Sequence, residues 1–301
     1  MLSFLLTGKK EHIMELNGHI LSEDQQHDLS GIVEAICHKF EIEHIFLFGF
    51  RQAASADCSC FATNHYAEFK AYCILVVTHT RQGQQHTIQD FLNHQFPDLQ
   101  ITVLSHWSGQ VGKLLADGNR FLGEVFKTGL LLKTSDGYNT LSYDHSGTPA
   151  QYHEDARQYF IHHSAVSKGF LASARQRFID QDFKLCLFLL HQAMEQSAIG
   201  LIRVWMGYRY NIHHLSRLLA LCCYFSPKIP QIFTNSKQDQ ILLQKLNRAY
   251  LDTRYQNDFH VTAHQAEALL KKVEVFKDVS DALCSCKLAS LQEQTNMVAT
   301  L

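Results

Sequence analysis

Apolar residues recur at three- and four-residue spacing through the second half of the chain. These amphipathic stretches are separated by helix-breaking residues such as Gly207, Pro227 and Pro230. This spacing is typical of amphipathic helices, and no strand pattern interrupts it. It predicts an antiparallel helical bundle, with helices over residues 153–180, 182–205, 213–225, 236–253 and 262–283. Residues 287–301 are polar and lack this period, so they are predicted to form a frayed tail.

The first half alternates helical patterns with short apolar runs that indicate buried strands. Strands are predicted over residues 45–48, 72–77, 99–104 and 130–132, and helices over 30–40, 87–94 and 107–126. Gly49 is predicted to end the first strand in a turn, with a loop from there to Ala67. The pattern predicts a small α+β domain over residues 1–145, joined by a polar linker at 137–149 to the all-α domain over 150–283.

Charge distinguishes the two halves. The 301 residues carry 27 basic and 29 acidic side chains, which excludes a basic nucleic-acid coat protein. Residues 1–150 have a net charge of −6, and residues 151–301 have a net charge of +4. An anionic partner is therefore expected to bind the second half.

Other patterns favour a cytoplasmic protein without a metal or cofactor. We expect no membrane association, because no run approaches the roughly 18 apolar residues of a membrane span and residues 1–6 are too short for a signal sequence. Cys58 and Cys60 near His65, and Cys284 and Cys286, are separated by one residue only. Structural zinc sites use a two-residue spacer, so no metal site is predicted.

Three segments of the second half resemble the HEPN family of helical domains, which bind nucleotides or cut RNA. They are residues 190–195 (Leu-His-Gln-Ala-Met-Glu), 211–215 (Asn-Ile-His-His-Leu) and 249–255 (Ala-Tyr-Leu-Asp-Thr-Arg-Tyr). The resemblance covers about residues 150–278. It implies an up-and-down bundle of about five helices that forms a homodimer, with Arg254 near the dimer groove.

The spacing Arg254-x5-His260 resembles the pair that RNase members of the family use. In those members the Arg holds the scissile phosphate, and the His deprotonates the 2′-hydroxyl or protonates the leaving oxygen. However, Tyr255 stands where RNase members have a small polar residue. The run from Arg254 to Asp258 is closer to the Ala-Arg-Tyr-Pro-Asp type of the nucleotide-binding members.

Three functions follow from this resemblance. The first is nucleotide or RNA-ligand binding, the second is a metal-independent endoribonuclease that uses Arg254 and His260, and the third is a non-catalytic dimerisation module. The candidate ligand-binding residues are Arg254, Tyr255, Asp258, His191, Glu195 and His213. His191 and Glu195, four residues apart on one helix face, either line a pocket with His213 or close hydrogen bonds between helices. No recognition of a DNA sequence is expected.

The first half resembles a nucleotidyltransferase fold, which is often fused to or encoded beside HEPN domains. The resemblance rests on residues 47–49 (Leu-Phe-Gly) and on the region from 119 to 131. Phe50 replaces the family's serine, and Ala71, Cys73 and Thr102 stand where its metal-binding acids are expected. Mg²⁺ prefers hard oxygen ligands, so the resemblance implies a catalytically dead domain. Asp57 and Glu68 lie nearby but lack the alternating partner of a carboxylate clamp.

The HEPN resemblance also implies a biological setting. The protein is expected to belong to a toxin–antitoxin or defence system. The expected partners are therefore a nucleotide or RNA and a second copy of the chain.

Overall fold

A four-stranded sheet and a helical bundle follow each other along the chain. The computed structural model describes residues 14–59, 62–81, 83–135, 147–209, 214–234, 236–256 and 258–299. The chain divides into one unit of Met1–Leu114 with Leu122–Tyr143, and a second of Leu115–Phe121 with Asp144–Leu301. The first unit contains the strands and the second is built around helices, which confirms the predicted α+β part followed by an all-helical part.

The sheet of the first unit has the strand order β5-β4-β3-β6, with β4 and β5 parallel and the other pairs antiparallel. A two-residue hairpin, β1 and β2, precedes it. The strands are β1 Glu15–Leu16, β2 His19–Ile20, β3 Ile42–Ser59, β4 Ala62–Thr78, β5 Gln100–Trp107 and β6 Leu130–Thr134. The helices of this region are α1 Glu23–Lys39, α2 Gln85–Gln95, α3 Ser108–Ala116 and α4 Arg120–Thr128.

Alternation along β3 gives the sheet two buried faces. Ile45 and Leu47 join one apolar cluster with residues of α1 and α2. His44 and Phe46, one position out of phase, meet Phe126 of α4, with ring centroids 6.3 and 4.7 Å apart. Because successive side chains of a strand point to opposite faces, helices cover both sides of the sheet.

Gln89 of α2 protects the outer edge of β5. Its side-chain amide donates to the carbonyl of Ile101 at 2.6 Å and accepts from the N–H of Val103 at 2.9 Å. The side chain thus supplies the hydrogen bonds that a further strand would make, and it is only 3% exposed. An edge strand satisfied in this way cannot pair with another chain at these positions.

The predicted turn at Gly49 and the loop up to Ala67 are wrong. β3 passes Gly49 through a register shift, and β3 and β4 pair as far as Ser59 and Ala62. The neighbouring strands pair only with residues 44–47 of β3 and 71–78 of β4, so the rest is a two-stranded ribbon. Ribbon strands need no apolar alternation, because their backbone hydrogen bonds do not depend on it.

Two helices of the first unit also differ from their predicted bounds. α1 begins at Glu23 rather than at residue 30, because Ser22 and Gln25 form a reciprocal capping box. The single helix predicted over 107–126 is broken at Gly118, whose φ of +77° suits glycine but few other residues.

The second unit is built around α6, which is buried along most of its length. Its helices are α5 Pro149–Ile179, α6 Phe183–Met206, α7 Leu215–Cys222, α8 Lys228–Thr234, α9 Lys237–Tyr255 and α10 Ala263–Ala299. Asp182 caps the start of α6, and Gly207 ends it with a φ of +70°. α5 and α9 both run antiparallel to α6, as the cross-helix contacts Ser167–Ser197 and Thr253–Lys184 show.

One prediction for this unit is wrong, and the short helix α8 was not predicted. Pro227 and Pro230 do lie between α7 and α9, but Pro230 is in the first turn of α8, where its missing N–H costs no hydrogen bond. The tail after Lys287 was expected to fray, but α10 continues to Ala299. Leu291, which is 3% exposed, buries its side chain in this extension and stabilises it.

α6 is long and apolar enough to cross a membrane by length and composition alone. However, 72% of its most apolar stretch is buried inside the bundle, as in core helices of soluble proteins. The predicted cytoplasmic location stays a prediction.

Candidate functional site

The last turn of α9 is held against the first turns of α6. The Thr253 hydroxyl donates to the carbonyl of Lys184 at 3.4 Å. The Asp252 carboxylate, whose side chain is 8% exposed, pairs with Arg248 at 3.0 Å. These contacts fix the position of the next residue, Arg254.

Tyr250 connects Arg254 to the core of the bundle. Its ring stacks on His191 and Phe188 of α6, with centroids 5.4 and 6.2 Å apart. The guanidinium of Arg254, one helical turn later, lies 4.0 Å from the centre of the same ring. An arginine over an aromatic ring is stabilised by the ring's quadrupole.

These contacts orient the Arg254 guanidinium without using all of its N–H donors. Its Nε donates to the carbonyl of Tyr250 at 2.9 Å, and its Cζ lies 5.1 Å from the ring centre of Tyr255. Within the described ranges its two terminal nitrogens have no protein partner, and the side chain is exposed. A planar fork of N–H donors held in this way matches two oxygens of a phosphate.

His191 and Glu195 form a buried pair beneath Tyr250. The side chains are 1% and 3% exposed, and Nδ1 of His191 lies 3.6 Å from a Glu195 carboxylate oxygen. The Gln192 amide nitrogen contacts both, at 3.1 and 3.3 Å. The pair is positioned to support Tyr250 and does not face solvent. His213, their expected third member, lies outside the described residues.

Asp258 and His260 lie in the short segment between α9 and α10, and both are exposed. Phe259, between them, is buried and lies 5.8 Å from the Lys245 ammonium. Two residues after His260, the side chains of Thr262 and Gln265 cap the start of α10 reciprocally, each at 3.2 Å. His260 is therefore exposed between two anchored positions, in the segment that follows the last turn of α9.

Sequence reasoning missed Tyr250 as a functional residue. Its four-residue spacing from Arg254 could have identified Tyr250, because this spacing places the two side chains on one helix face. The stack on His191 could not be predicted from spacing, because it joins two helices.

The candidate metal positions of the first unit are apolar or weakly polar. Ala71, Cys73 and Thr102 are each at most 4% exposed, and Cys73 pairs with Thr102 across β4 and β5. A methyl group, a thiol and a hydroxyl do not make a Mg²⁺ site. The side chains of Asp57 and Glu68 lie outside the described part of the chain.

Of the two cysteine pairs, the structure describes the side chains of Cys284 and Cys286 only, and they belong to no cluster of three or more potential metal ligands among the described residues. Cys284 is buried, and burial raises its pKa to about 12, whereas Cys286 is exposed. The two thiols of this pair therefore lie in different environments. The side chains of Cys58, Cys60 and His65 are not among the described ones.

Part of the helical unit is similar to a known family of domains. Residues 166–283 match the family model of the HEPN domain. The match includes the whole of α6 to α9, and with them Arg254, His260 and the three segments on which the resemblance rests. No curated protein matches the chain significantly. Residues 166–283 are therefore similar to the HEPN domain, while the nucleotidyltransferase-like character of the first unit stays a prediction.

Proposed function

We propose that the helical unit binds a phosphate-bearing ligand, a nucleotide or RNA, through Arg254. The observation that carries the proposal is the guanidinium fork of the exposed Arg254. The ring and the backbone carbonyl of Tyr250 orient this fork, and its terminal nitrogens have no partner among the described residues. Charge-assisted bidentate pairs are among the stronger hydrogen bonds in proteins. The HEPN match supports a nucleotide or RNA as the source of the phosphate.

The net charge of the second half supports the same choice. Residues 151–301 carry four more basic than acidic side chains. Asp252, the acidic side chain closest in sequence to Arg254, is paired with Arg248. Its charge is thus partly compensated, so it opposes an incoming phosphate less.

An isothermal titration of the full-length protein with 5′-AMP tests the proposal. Arg254→Ala should cost about 1.5–3 kcal/mol of affinity, and Arg254→Lys somewhat less, because an ammonium only partly replaces the fork. Arg157→Ala is the matched control, since its guanidinium is held by Glu154 in the same helical unit. Equal affinity of Arg254→Ala and Arg157→Ala would remove the proposal.

A second candidate is a metal-independent endoribonuclease, favoured by the exposed position of His260. His260 would remove the proton of the ribose 2′-hydroxyl, whose oxygen attacks the phosphorus, while Arg254 holds the phosphate oxygens. The bond to the 5′-oxygen then breaks, and that oxygen leaves as a hydroxyl after taking up a proton. The products are a 2′,3′-cyclic phosphate and a 5′-hydroxyl end.

His260→Ala separates binding from cleavage. A nuclease should lose about 10²–10⁴ in rate and keep its RNA affinity, because the imidazole acts only in proton transfer. It should also work in EDTA. A binding module should tolerate the loss of His260 and should never release a 2′,3′-cyclic phosphate.

The first unit is proposed to be a nucleotidyltransferase-like domain that has lost its chemistry. The buried Ala71, Cys73 and Thr102 support this, since none of them is a carboxylate. Incubation with magnesium and labelled nucleoside triphosphates should transfer no nucleotide to protein or RNA. If nucleotide transfer does occur and Asp57→Asn or Glu68→Gln abolishes it, those residues are the metal ligands.

The remaining proposals concern assembly and setting. The HEPN domain supports a homodimer through residues 150–278, and a toxin–antitoxin or defence role. Light scattering at tens of micromolar should give twice the mass of the chain. If neither Arg254→Ala nor His260→Ala changes ligand binding, RNA cleavage or cell toxicity, a non-catalytic assembly module becomes the better account.

A further inference from the structure

Tyr255 presents an aromatic ring to solvent immediately after the phosphate-binding candidate Arg254. It is the last residue of α9 and is 74% exposed, the largest value among the exposed large apolar side chains that the structure describes. Among the described residues, its ring interacts with the Arg254 guanidinium, whose Cζ lies 5.1 Å from the ring centre. Packing within the described unit therefore does not account for the ring.

The two tyrosines around Arg254 differ in their surroundings. Tyr250 lies 4.0 Å from the guanidinium and stacks on α6, so its ring is part of the bundle. Tyr255 flanks the same guanidinium on the solvent side of α9. The Arg254 guanidinium is thus near one packed ring and one exposed ring, and a group held by Arg254 would lie close to the exposed one.

We propose that Tyr255 is a stacking platform for the nucleobase of the ligand whose phosphate Arg254 holds. The inference rests on the proposed phosphate binding and narrows the ligand to one with an accessible base. Base and phosphate in a nucleotide are separated by one sugar, which suits two neighbouring side chains that touch each other. The preferred ligand is therefore a nucleotide or an unpaired nucleotide of RNA, and a duplex, a free phosphate or a phosphosugar should bind more weakly.

The chemistry of an aromatic platform also predicts the selectivity. Every base has a π face, so stacking tolerates all four bases, and the larger purines overlap a tyrosine ring more fully than pyrimidines do. The protein should therefore bind a nucleotide much more tightly than the same sugar phosphate without a base, and its affinities for nucleotides with different bases should be similar.

The experiment compares 5′-AMP with ribose 5-phosphate, which carries the same phosphate without a base. Titrations use the full-length protein, Tyr255→Ala, Tyr255→Phe and Leu251→Ala. Leu251 is the matched control, because it is an exposed apolar residue on the same helix, one turn earlier. Base stacking on an aromatic side chain is typically worth about 5- to 150-fold in affinity.

Tyr255→Ala is expected to remove only the part of the binding affinity that the base contributes. Wild type should bind AMP at least about fivefold more tightly than ribose 5-phosphate. Tyr255→Ala should bring AMP down to the affinity of ribose 5-phosphate and leave ribose 5-phosphate unchanged. Tyr255→Phe and Leu251→Ala should behave like wild type.

The outcomes separate this inference from the phosphate proposal. If Arg254→Ala weakens both ligands while Tyr255→Ala weakens neither, phosphate binding stands and stacking is overturned. If Tyr255→Ala instead lowers the mass measured by light scattering with ligand affinities unchanged, the ring is a contact between protein copies. If wild type binds neither ligand, both proposals fall.

Discussion

Gly200 allows α5 and α6 to approach closely, and replacing it tests the packing on which the helical unit depends. A Cβ at Gly200 would lie 2.8 Å from Cβ of His163 and 3.5 Å from its Cγ. Cβ atoms are fixed to the backbone, so neither partner can rotate away as the tip of a long side chain would. Relief requires the two helices to separate.

The magnitude follows from two opposing effects. Replacing glycine by alanine inside a helix gains about 1 kcal/mol of helix propensity. Overpacking in a close-packed core costs about 1–3 kcal/mol, and a clash between backbone-fixed atoms belongs at the upper end. Gly200→Ala should therefore lower the free energy of unfolding by about 1–2 kcal/mol.

Gly169→Ala is the matched control, because Gly169 lies in α5 and its added Cβ would meet nothing within 4 Å. It should raise the stability by about 1 kcal/mol through helix propensity alone. Urea unfolding in a Trp107→Phe background would make Trp205 of α6 the reporter of the helical unit. The reasoning is refuted if Gly200→Ala is as stable as Gly169→Ala.

Three further predictions follow from buried polar groups. Gln89→Leu should lower the free energy of unfolding of the first unit by about 2–4 kcal/mol in a urea titration, because it leaves two buried backbone groups of β5 without a partner. Unchanged stability would contradict the role of Gln89 at this edge. Native alkylation with iodoacetamide at pH 8, read by peptide mass spectrometry, should label the exposed Cys286 far faster than Cys284, whose pKa burial raises to about 12; equal rates would contradict the buried position. Burial lowers the pKa of His163 in the folded protein. Just below the ordinary histidine pKa of about 6.5, the unfolded chain therefore binds more protons than the folded protein does. The stability of the helical unit should fall as the pH drops through this range, and His163→Asn should reduce that slope in urea titrations at pH 7.5 and 5.5.

Local signals predicted much of the helical unit. The apolar period predicts helices over 182–205 and 236–253, within a few residues of the observed ends of α6 and α9. These features depend on interactions within a few residues of the chain. The α8 helix was missed because Pro230 indicates a break unless its place in the first turn is known.

Non-local contacts could not be predicted. The ribbon of β3 and β4 is held by backbone pairing between distant residues, and its sequence carries no apolar alternation. At the candidate site the motif identified Arg254 and His260. The stack of Tyr250 on His191, which orients Arg254, joins α9 to α6 and leaves no trace in spacing.

The claim that Arg254 holds a phosphate is tested most directly by observing its guanidinium. In a spectrum of ¹⁵N-labelled arginine side chains, the Arg254 signal is the one that Arg254→Lys removes. We expect 5′-AMP to shift this signal and to slow the exchange of the terminal N–H protons of Arg254 with water. If AMP shifts other arginine signals and leaves that of Arg254 unchanged, the phosphate is bound elsewhere and the account is contradicted.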